Sequence, residues 1–140
     1  MVKALSYVIL FKCSEGYIRT RGSIFIIKDG IYAYVGSCGN YCSARIMRHL
    51  NKVNNEFWHV DYLHEICDEL GAIVLTYKEE DVARTLLSKF MGVPNFGCSD
   101  KKQDKTHLFR IGYSDNGSAI ALIREILSVI HGILDQEKAY

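Results

Sequence analysis

Apolar residues along the chain group first into short β-type runs and only later into helical stripes. Residues 7–11 and 23–27 are β-branched and aromatic, and a polar stretch with Gly16 and Gly22 joins them, which predicts an antiparallel pair. Asp29-Gly30 marks a tight turn into a third strand over 31–35, so the first third reads as a small β-meander. The period then changes. Ile46, Leu50 and Val53 recur at i, i+4 and i+7 and predict an amphipathic helix over 43–53. Leu63, Ile66, Cys67 and Leu70 keep helical spacing ahead of Gly71, a C-terminal cap candidate, and 72–75 reads as a strand. Thr76 and Glu79 have the spacing of a capping box before a helix with Val82, Ala83, Leu86, Leu87 and Phe90 on one stripe. A loop over 94–105 leads to a strand over 107–113, and a helix over 118–137 follows, its stripe running from Ile120 to Leu134. The expected fold is α/β in the α+β sense: a small, mostly antiparallel central sheet flanked by helices, with a C-terminal helix.

Length and composition bound this picture. A chain of 140 residues has the size of one domain, and without repeats or linkers nothing divides it, so a single domain over 1–140 is expected. Apolar runs are short, well below the ~18 residues of a membrane-spanning helix, so no membrane partner is expected. The apolar start lacks a small-residue cleavage site and reads as a strand rather than a signal peptide. Five cysteines, an odd count without dense regular spacing, favour a reducing, cytoplasmic setting. Cys38 and Cys42 could form a bridge, half of a metal site or nothing.

The formal net charge of +1 averages over unlike segments. Residues 43–52 carry Arg45, Arg48, His49 and Lys52 without an acid, and residues 101–110 carry Lys101, Lys102, Lys105 and Arg110 against Asp104 alone. Each basic run is either a solvated face or a grip on a polyanion. Arg45, His49 and Lys52 share a helix face that is either a solvated basic surface or one where a forked guanidinium can meet phosphate oxygens and an imidazole can move a proton near neutral pH. Tyr34 and Gly36 end the strand just before it, either as core tyrosine and turn glycine or as a hydroxyl aimed at a ligand beside a close backbone approach. Glu79 lies in register with Ala83 and Leu86 on the inward side of its helix. It is either the capping-box partner of Thr76 or a carboxylate for Mg²⁺.

Five blocks then occur in order over about residues 5–110: Gly30-Ile31-Tyr32-Ala33-Tyr34-Val35-Gly36-Ser37, Arg45-Ile46-Met47-Arg48-His49-Leu50, Trp58-His59-Val60-Asp61-Tyr62-Leu63, Phe96-Gly97-Cys98-Ser99-Asp100 and Thr106-His107-Leu108-Phe109. Together they resemble the GIY-YIG nucleases, within them a subgroup found mostly in archaea and fused in some bacteria to a DNA-repair glycosylase. The resemblance implies a site of Tyr7, Tyr34, Arg45 and His49, with Glu79 holding Mg²⁺ or Mn²⁺. It also implies DNA as partner, gripped by Arg48, Lys52, His59, Lys101, Lys102 and Lys105, with Gly36, Asp100 and His107 as further candidates. The chain departs from the pattern at Leu5, where the family has glycine, and at Lys101 and Gln103, where the subgroup has cysteines. The activity so implied is endonucleolytic hydrolysis of DNA phosphodiester bonds, in repair or recombination, with no small-molecule cofactor and with homo-oligomerisation left open. The alternatives are a nucleic-acid-binding module without turnover and an interaction domain built on the terminal helix.

Overall fold

The computed structural model describes residues 3–20, 22–51, 59–97, 105–112 and 119–138. Lys52, Trp58, Cys98, Asp100, Lys101, Lys102 and the side chain of His59 lie outside the described residues. The elements in chain order are β1 (Ser6–Cys13), β2 (Gly16–Arg19), β3 (Ile24–Ile27), β4 (Gly30–Ser37), α1 (Cys42–Leu50), a 3₁₀ segment (His59–Glu65), β5 (Cys67–Leu75), α2 (Glu79–Leu87), β6 (Met91–Gly92), β7 (Leu108–Gly112) and α3 (Ala119–Lys138). They form a mixed α+β fold. An antiparallel five-stranded sheet runs in the order β5-β1-β4-β7-β6, and β2 and β3 make a separate two-stranded sheet.

Strand alternation decides the layers. β1 and β4 lie inside the sheet and are apolar on both faces, as a doubly covered strand must be. Val8, Leu10, Ala33 and Val35 point to one face, where Val82, Ala83 and Leu86 of α2 and Leu122, Ile126, Ile130 and Leu134 of α3 cover them. Tyr7, Ile9, Phe11, Tyr32 and Tyr34 point to the other, among Ile18, Phe25 and Ile27 of the hairpin, Val60 and Leu63 of the 3₁₀ segment, and Phe96. A fully buried side chain such as Ile126 contributes roughly 1.5–3 kcal/mol. The terminal stripe is therefore core, although Ile120 itself is exposed.

Five sequence expectations need correcting. The strand at 7–11 does not pair with 23–27: β1 lies between β4 and β5, while β3 pairs with Gly16–Arg19, a stretch that looks polar because only Ile18 is buried in it. The helical spacing of 63–70 gives way to the 3₁₀ segment and a long strand, since β5 pairs with β1 over its whole length. β5 is an edge strand that leaves Leu70 and Val74 exposed, so its alternation is invisible in hydrophobicity. Gly71 sits beside a bulge that skips Leu70, opposite Leu10, rather than capping a helix. α1 buries His49 while Leu50 is partly exposed, so its inward face is Cys42, Ile46 and His49 rather than the stripe through Leu50. Finally, the Thr76–Glu79 capping box does not form. The Tyr77 carbonyl accepts from Ser6 Oγ, the chain stays extended through Lys78, and α2 begins at Glu79 without a side-chain cap.

Four cysteines are paired, Cys13 with Cys67 across β1 and β5, and Cys38 with Cys42 across the entry to α1. Of the readings left open for Cys38 and Cys42, the structure has the bridge. No helix among the described residues is long and apolar enough to cross a membrane.

Candidate active site

Antiparallel pairing brings the start of β1, the end of β4 and the end of β5 to one end of the sheet. Ser6 stands opposite both Ser37 and Leu75, and Tyr7 opposite Gly36. A Cβ at Gly36 would overlap the Tyr7 ring, so glycine there lets the ring lie across β4. From that position Tyr7 Oη is 2.9 Å from His49 Nε2. The Tyr34 ring meets His49 edge-on, with centroids 6.0 Å apart, and Gly97, at φ +70°, passes close to Tyr34 Cε1. Tyr7, Tyr34 and His49 are all buried.

Burial sets their protonation. It holds both phenols above their ordinary pKa, with Arg45 pulling the other way and Glu79 and Asp61 adding to the rise. The same desolvation lowers His49 to about 4, against the opposing charge of Asp61. At neutral pH the pair is thus a phenol and a neutral imidazole, and the phenol donates to Nε2 when the imidazole proton sits on Nδ1. His49 is thus a hydrogen-bond acceptor and a weak base here rather than a group titrating near neutrality.

Arg45 is one turn before His49 and is fixed by Nη1 donating to the Ser37 carbonyl at 2.6 Å. Arg48, expected on DNA, instead donates to Asp61 Oδ2 at 2.9 Å, and the buried carboxylate needs that partner. Glu79 reaches the same end of the sheet from α2, with Oε2 3.7 Å from His107 Nδ1. His107 is held by its own backbone, its N–H donating to Phe96 and its carbonyl accepting from Val35. Lys105 lies apart, in a cleft on the other side of α2 with Asp81 and Arg84.

No group of three His, Cys, Asp or Glu side chains among the described residues converges as a metal cage. The donor set fits Mg²⁺ or Mn²⁺ in a different manner. Such ions keep several waters and are commonly held by one or two carboxylates together with phosphate oxygens, a role open to Glu79 with Glu80 beside it in one cleft.

A family model described as "Domain of unknown function DUF123" matches residues 6–129. The chain belongs to this family. No curated protein and no solved structure matches it. DUF123 is a family distinct from GIY-YIG, so the match corrects the resemblance drawn from the five sequence blocks. The match assigns no role to Tyr7, Tyr34, Arg45, His49 or Glu79, whose placement in the DUF123 domain is described above.

Sequence reasoning missed several residues of this DUF123 site. Asp61 looks like one acid among many, yet it is buried beside α1 and neutralises Arg48. Lys3, Ser37, Asn40 and Lys78 come from three separate segments and line a cleft of about 300 Å³ with Glu79 and Glu80. No periodicity links them.

Proposed function

We propose that the chain is a hydrolase that cuts phosphodiester bonds in DNA with the help of a divalent metal. The observation that carries this reading is the buried Tyr7–His49 hydrogen bond, 2.9 Å long, at the strand end where Arg45 and Glu79 also project. A phenol held protonated is a poor base alone, but it can pass a proton on. As water gives its proton to Tyr7 Oη, the phenol's own proton moves to His49 Nε2, and the hydroxide forms its bond to phosphorus. Imidazolium in so dry a place is a strong acid, so His49 returns the proton to Tyr7 Oη and through it to solvent, while a water molecule protonates the leaving alkoxide as the phosphorus–oxygen bond breaks. The Arg45 guanidinium stabilises charge on the phosphate oxygens through the transition state. When bound, Mg²⁺ or Mn²⁺ at Glu79 supplies further charge neutralisation on those oxygens.

Incubation with supercoiled plasmid and with branched DNA, in Mg²⁺, Mn²⁺ or chelator, tests the reading. Metal-dependent nicking is expected. Binding without cleavage under every condition would replace it with the nucleic-acid-binding module, and no interaction with DNA would reject both. Glu79→Gln keeps the shape and removes the negative oxygen, so nicking should slow ~100-fold while the melting temperature stays within a few degrees. Parental rates in this variant would move the metal to another acid.

A further inference from the structure

We propose that the cleft between Lys3, Asn40 and Lys78 is a subsite for the DNA phosphate next to the one being cut. This proposal rests on the hydrolase reading above. Sequence places the DNA grip on Arg48, Lys52 and the lysines after residue 100, but Arg48 is committed to Asp61 and Lys105 lies beyond α2. The Lys3–Asn40–Lys78 cleft, by contrast, adjoins the chemistry directly. Ser37 lines it and also accepts from Arg45, and Gly39 lines it with the Arg45 guanidinium packed 3.4 Å from where its Cβ would be. Glu79 forms another part of the wall, and its charge raises the pKa of both Tyr7 and Tyr34.

The chemistry of the lining suits a phosphodiester. Lys3 and Lys78 are exposed point charges whose side chains form no ion pair or hydrogen bond with the described residues, and Asn40 adds a neutral donor. The volume, about 300 Å³, lies at the lower end of ligand-sized clefts. Mixed lining gives the arrangement a direction: the lysines hold the flanking phosphate, and Glu79 and Glu80 form the acidic part of the wall, where Glu79 would hold a divalent ion when one is bound. Lysine is suited to the outer role because a flexible ammonium follows a backbone without demanding a base sequence.

The test is binding of a short fluorescent DNA duplex to the full chain in chelator, titrated from ~50 to ~200 mM salt. For the double variant Lys3→Ala, Lys78→Ala, affinity should fall roughly tenfold and the slope of log affinity against log salt should drop by about two. The melting temperature should hold, since both side chains are on the surface. Lys12→Ala, Lys28→Ala, exposed elsewhere, serves as control and should keep the parental slope. A parental slope in the Lys3, Lys78 variant overturns the subsite and leaves the hydrolase reading standing. Loss of slope in a chain that never nicks DNA upholds the subsite and rejects the hydrolase reading, and a parent chain that binds no duplex rejects both.

Discussion

Side chains leave β1 and β4 alternately toward two faces, built from the same strands yet filled in different ways. Toward α2 and α3 go Val8, Leu10, Ala33 and Val35, which need only volume and exclusion of water. Toward α1 go Tyr7 and Tyr34, whose hydroxyls carry a polar end into a buried layer that also contains His49 and Asp61. Burying such groups costs free energy unless each is hydrogen-bonded or paired, so this layer is specified by partners and distances, not by size. Stability should therefore depend most on the helical face and chemistry on the other.

The largest expected effect lies on the helical face. Ile126→Ala should lower unfolding free energy by about 2–5 kcal/mol in a denaturant titration, while cleavage by the folded fraction keeps its rate. A fall in rate per folded molecule would mean that the faces are coupled. Arg45→Ala is the converse. Its rate should drop ~10²–10³-fold in single-turnover assays, with little change in denaturant midpoint, and an unchanged rate would remove Arg45 from the site.

Acidity gives the third contrast. His49 is held at about 4 in the folded chain against 6.5 when unfolded, so between these values the unfolded state binds more protons. Its contribution is complete above about pH 6.5 and is lost as pH falls toward 4, a change on the order of 3 kcal/mol. Denaturation of the parent and of His49→Gln across that window checks this, and equal pH dependence in the two would refute it. The smallest effect expected is that of Tyr34→Phe. Its ring packing on His49 and Phe96 survives, so DNA affinity should hold while the chemical step slows roughly tenfold. Parallel loss of affinity and rate would make Tyr34 structural.

The legibility of the sequence follows the same division. α2 and α3 declare themselves because one-sided burial imposes a helical period on their apolar residues, and β1 and β4 because burial on both faces makes each a short continuous apolar run. β5 does not, since an exposed edge with a bulge at Leu70 carries apolar residues on its open side. Tyr7, Arg45, His49 and Glu79 come from distant segments and meet at one end of the sheet, and Glu79 makes no capping box because the chain is extended before α2. The Arg48–Asp61 pair and the Lys3–Asn40–Lys78 cleft are legible only in space, because their members come from segments with no common spacing.

The bond between Cys13 and Cys67 joins residues 54 positions apart and closes the chain between them into a covalent ring. Strands β2 to β4, α1 and the 3₁₀ segment lie within that ring, whereas α2, β7 and α3 hang outside it as a tail. In the chain-entropy account such a closure disfavours the unfolded chain by about 4 kcal/mol. It also gives the molecule a characteristic response to proteases. A single nick between residues 14 and 66 should leave one band on a non-reducing gel and two after reductant, whereas a nick in the tail should release a fragment under either condition.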